Sequence, residues 1–174
     1  MPEQSHAEHM RRARLVFYAE DVDKINAVLD EFLSASQARA ALLIDSEGHL
    51  VTKKGMTSSF DSDSLSALVA GSFASTRELA RILGETEFSV IFHQGRNENI
   101  QISSVAERAL LVTIFDDRTT VGMVRIYCQE VTQQLKAIFG AATDRFSREG
   151  TKEIDARYEQ AAQDRLDEFF SESS

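Results

Sequence analysis

Seven consecutive residues constrain this chain more than any others. Ala109-Leu110-Leu111-Val112-Thr113-Ile114-Phe115 is apolar at every position but Thr113. A strand written this way has no wet face, so it belongs at the centre of a sheet covered on both sides. The cover must come from helices, and three stretches carry the periodicity of a helix. Asp21 to Ser36 places Val22, Ile25, Val28, Leu29, Phe32 and Leu33 at spacings of three and four. Leu65 to Leu83 is the second, with Leu65, Leu68, Val69, Phe73, Leu79, Ile82 and Leu83 expected to form its core stripe. The third is the clearest: Val121, Val124, Cys128, Val131, Leu135, Ile138, Ala142 and Phe146 repeat without a break.

The other strands are bounded by turn chemistry. Ala40 to Ile44 and His49 to Thr52 flank Asp45-Ser46-Glu47-Gly48, which predicts a hairpin with Gly48 at positive φ. Gly55 to Ser59 reads as a polar loop, and Asp61 to Ser64 as candidate caps for the second helix, with Gly84 as its terminator. Phe88 to His93, Asn99 to Ser104 and Ala109 to Phe115 follow as strands, with turns near Gln94 to Asn97 and Val105 to Glu107. Thr119 or Thr120 caps the third helix. Tight turns between neighbouring strands require antiparallel pairing. The expected fold is an α/β sandwich of the α+β kind, a five-stranded antiparallel sheet with one helix on one face and two on the other. The expected order is helix-strand-strand-helix-strand-strand-strand-helix. Residues 1–14 read as a disordered lead, 15–146 as the domain and 147–174 as an acidic amphipathic tail.

Charge and composition narrow the function. The net charge is −9, with Arg11, Arg12 and Arg14 as the tight basic cluster, which argues against nucleic acid as partner. A lone cysteine, Cys128, gives no disulfide framework, and no apolar run approaches the length of a membrane span. With no apolar leader at the N-terminus, the expected location is cytoplasmic.

Candidate chemistry is thin. His6, His9, His49 and His93 show no metal-ligand spacing, and neither GxxxxGK[ST] nor GxGxxG occurs. Asp116-Asp117 at a strand end suits catalysis or magnesium, and equally the polar exit of a strand before a helix N-terminus. Cys128 sits in an apolar stripe and reads as a small core side chain. The expectation is therefore no catalytic residue, no metal and no cofactor.

What stands out is a row of small residues on the second helix: Ala67, Ala70, Gly71 and Ala74, continuing into Glu78 and Arg81. Such a row permits close backbone approach, either to a partner or within the monomer. Beyond Gly150, Ile154, Tyr158, Ala162, Leu166, Phe169 and Phe170 mark a thin apolar stripe on an acidic segment.

Taken in order, these residues resemble the Roadblock (dynein light chain Roadblock-type) family. The resemblance rests on Ala41-Leu42-Leu43-Ile44-Asp45-x-x-Gly48, Leu68-Val69-Ala70-Gly71 and Leu83-Gly84-Glu85-x-Glu87-Phe88. Leu15-Val16-x-Tyr18, Lys24 to Val28, His93-x-Gly95 and Ile114-Phe115-Asp116-x-Arg118-Thr119 make it most similar to the bacterial MglB-type subgroup. The resemblance implies a homodimer whose second helices pack across the dimer axis while the sheets join edge to edge. It implies that this helix pair docks a small Ras-like GTPase of MglA type. It also implies GTPase activation without an arginine finger, in the control of cell polarity or motility, with concentration at a cell pole and contacts to other polarity proteins. Docking then falls on Ala67, Ala70, Gly71, Ala74, Glu78 and Arg81. A second contact falls on Ile154, Tyr158, Leu166, Phe169 and Phe170. Arg77 and Glu78 depart from the small residues usual there, which keeps open a scaffold that binds a GTPase or other partner without accelerating hydrolysis.

Overall fold

A computed structural model of the chain describes residue 17 and residues 19–171, with side chains described as far as Glu149 and at Gln160. The expected lead, and Leu15, Val16 and Tyr18, lie outside the described residues. The elements are α1 (Ala19–Ser36), β1 (Ala40–Asp45), β2 (Leu50–Gly55), α2 (Ser62–Leu83), β3 (Val90–Gln94), β4 (Asn99–Val105), β5 (Ala109–Phe115) and α3 (Val121–Ser171). All five strands form one sheet in the order β2-β1-β5-β4-β3, every pair antiparallel.

The apolar run of residues 109–115 is the central strand, and all seven of its residues are buried. Alternation sorts its side chains between two cores. Leu111 and Phe115 join Ala41 and Leu43 under α1 and α3, with Ile25, Leu29, Val124 and Leu135. Leu110, Val112 and Ile114 join Leu42 and Ile44 under α2, with Val69, Phe73 and Ile102. The one polar residue of the strand faces the first core, where Thr113 Oγ1 lies 3.5 Å from Cys128 Sγ. Burial raises the Cys128 thiol above its ordinary pKa, as befits a core side chain.

Turn chemistry accounts for the connections. Gly48 adopts φ 94°, as expected from the hairpin signal. Asp45 Oδ1 closes that hairpin by accepting the N–H groups of Glu47 and His49, each at 2.9 Å. The β4–β5 turn places Ala106 and Glu107 at φ 52° and 58°. Arg145 at the packed end of α3 ion-pairs with Asp21, whose side chain is 1% exposed, and so ties α3 to the first turn of α1.

Asp61 is the cap of α2, accepting from the backbone N–H of Asp63 at 3.1 Å and of Ser64 at 3.4 Å, so the helix begins three residues before the expected Leu65. Gly84 ends it at φ 74°, with Glu85 N–H donating to Ala80 C=O. Hydrogen bonds from Ser64, then Asp63, hold the Asp61 carboxyl below its usual 3.8. A depressed folded-state pKa contributes stability above the unfolded value, and that stability is lost as pH falls through the folded value. The Tm advantage of the wild type over Asp61→Asn is therefore expected at about pH 6 and should vanish toward about pH 3. A gap independent of pH would show that the charge of Asp61 plays no part.

The third helix runs as one element of 51 residues through Gly150 to Ser171, longer than the amphipathic stretch ending at Phe146. Thr120 Oγ1 caps it by accepting the Met123 N–H at 3.2 Å. Among the described residues, no helix is long and apolar enough to cross a membrane.

Candidate functional site

The site is built on α2, the helix that alone covers its sheet face. The expected core stripe of α2 is corrected by the structure. Val69 and Phe73 are buried and Leu65 half-buried, but Leu68, Leu79, Ile82 and Leu83 are 72%, 54%, 68% and 69% exposed. The row that meets the sheet is Ser62, Ser66, Val69, Phe73 and Ala80, a single line at spacings of four, three, four and seven. Its polar members are satisfied: Ser66 Oγ donates to Ser62 C=O at 2.6 Å, and Ser62 Oγ accepts from Lys53 Nζ of β2 at 3.1 Å. Small side chains there let the helix lie close to the sheet, with Phe73 as its one large anchor.

Two more rows lie outside it. Ala67, Gly71, Ala74, Glu78 and Arg81 form one, all exposed. Leu68, Ser72, Ser75, Leu79 and Ile82 form the next, also exposed. Each repeats at alternating spacings of four and three, the seam pattern of helix pairing. Apolar periodicity merges the first and third rows because both carry leucine, valine or phenylalanine. The signal that separates them is the placement of Ser62, Ser66 and Ala80 in register with Val69 and Phe73.

The small-residue row has two explanations, each holding for part of it. Ala70 is buried, 8% exposed, in the core beneath α2. The hairpin tip explains why: a Cβ on Gly48 would stand 3.1 Å from Ala67 Cα and 3.2 Å from Ala70 Cβ. Smallness at Ala70, and partly at Ala67, thus serves packing inside the monomer. Gly71 and Ala74 face outward, and a Cβ on Gly71 would meet nothing within 4 Å. Glu78 and Arg81 pair with each other, Arg81 Nε donating to Glu78 Oε1 at 2.9 Å. The guanidinium holds the Glu78 carboxyl below its ordinary range.

The remaining candidates resolve as follows. Asp116 accepts from the backbone N–H of Arg118 at 3.1 Å and from its Nε at 2.9 Å, with Arg39 Nε 3.8 Å away. The Arg118 hydrogen bond keeps the Asp116 carboxyl below its usual value, an anchored acceptor and not a base poised near neutrality. Asp116 and Asp117 line an open cleft with Arg39, Arg96, Asn97 and Glu98, a lining without histidine. Arg39 is itself paired with Glu98. Spacing along the chain shows no metal pattern, but folding groups Asp45, Glu47 and His49 on the first hairpin, with His49 Nδ1 3.1 Å from Asp45 Oδ2. Asp45 is engaged there in closing the turn. Ile154, Tyr158, Leu166, Phe169 and Phe170 fall on the backbone of α3, and their side chains lie outside the described residues.

Known proteins share this geometry. The family model described as the Roadblock/LC7 domain matches residues 24–115. Among solved structures, Myxococcus xanthus MglB is 38% identical, with a TM-score of 0.69, over 74% of this chain and 96% of that one. The gliding protein mglB from Thermus thermophilus is 34% identical, with a TM-score of 0.68, over 73% of this chain and 96% of that one. An MglB described as having a tetrameric arrangement matches at 34% identity and a TM-score of 0.68, over 74% of this chain and 96% of that one. A Roadblock/LC7 domain from Streptomyces avermitilis, 11% identical, shares the fold. Comparison with curated proteins finds no significant match.

Proposed function

The chain belongs to the Roadblock/LC7 family, in its MglB-like part, and from that premise we propose that it is a homodimeric regulator of a small Ras-like, MglA-type GTPase. In this reading it works by docking on the GTPase and reorganising the catalytic groups the GTPase already holds, in the control of polarity or motility. The observation that carries the reading is the division of the outer face of α2 into two rows. The row of Leu68, Leu79 and Ile82 exposes large apolar side chains and is the half that a second copy of the chain covers. The neighbouring row, with Gly71 and Ala74 open to solvent and Glu78 neutralised by Arg81, is the half left to the GTPase. Strand β3 has a neighbour on one side only, so its outer edge is free to extend the sheet into that second copy. The acidic end of α3 is the second contact with the GTPase.

The test is single-turnover GTP hydrolysis by the MglA-type GTPase with this protein in excess. Acceleration on the scale usual for small-GTPase activators, roughly 10³–10⁵-fold, is the expected result. Binding without acceleration would replace activator with scaffold, the reading that Arg77 and Glu78, standing where small residues are usual, favour. Gly71→Arg makes the contact specific. Open space at Gly71 means the arginine is accommodated without disturbing the fold, so GTPase binding should be abolished while the dimer and its Tm persist. Normal binding by a folded Gly71→Arg dimer would remove the small row from the interface.

A further inference from the structure

Arg77 lies beside the docking row, on the flank nearer the sheet. Glu78 and Arg81 satisfy each other within the helix. Arg77 is exposed and forms no ion pair among the described residues. Arg77 stands one helical turn from Ala74 and from Arg81, on the flank of α2 opposite Leu68 and Leu79.

A second feature meets it there. A crevice of about 40 Å³ opens between α2 and the turns of the β1–β2 and β4–β5 hairpins; its polar lining is Ser46, Arg77, Ser104 and Glu107, and the rest of its wall, Phe73 and Leu110 included, is apolar. Its volume suits one small polar group. The two serine hydroxyls and the guanidinium can all donate hydrogen bonds, and Glu107 in the same lining limits how much negative charge can enter. Arg77 is the one basic residue of this lining, and a guanidinium pairs a single carboxylate through two parallel hydrogen bonds.

We propose that Arg77 reads an acidic side chain on the GTPase that docks beside it, and so sets which GTPase this protein accepts. The proposal rests on the docking reading above and deepens it. Arg77 is then a specificity residue at the rim of the interface, and a rim charge acts chiefly on association. Its partner is a carboxylate of the GTPase surface, and nucleotide plays no part in the contact.

The experiment measures association and dissociation rates by stopped flow. The probe is the MglA-type GTPase loaded with a non-hydrolysable GTP analogue. Wild type, Arg77→Lys, Arg77→Ala and Arg77→Glu are compared at several salt concentrations. Because Arg77 is exposed on a helix surface, all variants should keep the wild-type Tm and oligomeric state. Association is expected to slow about tenfold in Arg77→Glu, less in Arg77→Ala and least in Arg77→Lys, with dissociation changing little. The salt dependence of association should flatten in Arg77→Ala. Wild-type rates in a folded Arg77→Glu dimer would overturn the proposal while leaving docking intact. Absence of any binding by the wild type would overturn both, and the two failures are told apart by that control.

Discussion

A chain carrying Leu68→Glu, Leu79→Glu and Ile82→Glu together is expected to sediment as a monomer at concentrations where the wild type, on the proposed reading, is a dimer. The three side chains stand 72%, 54% and 68% exposed on one row of α2, so the single domain already bears them in water. Burying a large aliphatic side chain contributes about 1.5–3 kcal/mol, and because association entropy offsets much of that sum, a pair joined on this row depends on all three. Glutamates at the same places put like charges across a self-complementary contact, where residue meets residue by two-fold symmetry. Dimerisation should weaken by more than about a hundredfold. The fold should not suffer, because none of the three reaches the core beneath α2. Sedimentation velocity, with circular dichroism as the check on folding, decides it. A triple variant that remains dimeric would move the contact off this row, toward the open edge of β3. A wild type that stays monomeric at high concentration would sink the dimer altogether.

Gly55→Ala is expected to destabilise the fold strongly for the addition of one methyl group. Gly55 ends β2 at φ 85°, where side chains other than glycine are strained. Its Cβ would stand 2.4 Å from the Arg39 carbonyl oxygen, 3.1 Å from Ala40 Cα and 3.0 Å from Leu33 Cδ1. Two of those atoms are backbone and cannot step aside. Ala40 is the ladder partner of Gly55, and the Arg39 carbonyl already accepts the Met56 N–H at 2.8 Å. Strain and overpacking together should cost about 3 kcal/mol, a fall in Tm of roughly 6–12 °C for a chain of this size. Urea unfolding measures it, with Gly71→Ala as the control. Gly71 has open space around it inside a helix, so alanine there should stabilise by up to about 1 kcal/mol. Equal stability of Gly55→Ala and wild type would mean the β1–β2 hairpin can shift where its ladder says it cannot.

The two glycines also show where reading the chain residue by residue stops. Gly48 was legible because a hairpin turn is a local event: four polar residues between two apolar runs demand positive φ. Gly55 reads as the start of a loop, because its constraint comes from Arg39 and Leu33, distant in sequence. The same divide runs through α2. Its existence, cap and terminator were legible, since Asp61 and Gly84 act within a turn of the helix end. Which of its three rows faces the sheet was not. Periodicity fixes only that rows exist; the orientation is set by how closely Ser62, Ser66 and Ala80 let the helix approach, and by the Gly48 turn resting on Ala67 and Ala70.

The candidate site divides in the same way. Gly71 and Ala74 were found as small residues out of keeping with a solvated face. Leu68, Leu79 and Ile82, read as core, are instead an exposed apolar row. The neutral pairing of Glu78 with Arg81, and the lack of an ion pair at Arg77 among the described residues, depend on rotamers that no spacing rule supplies.

Sequence by itself determined the element order, the central place of residues 109–115, the antiparallel pairing and the family, because propensities, caps, turns and apolar periodicity are local quantities. Tertiary structure alone decided which helix rows are buried, which small residues serve internal packing and which charges are already paired. Those outcomes depend on close approach between residues far apart in the chain, where a few tenths of an ångström separate contact from clash.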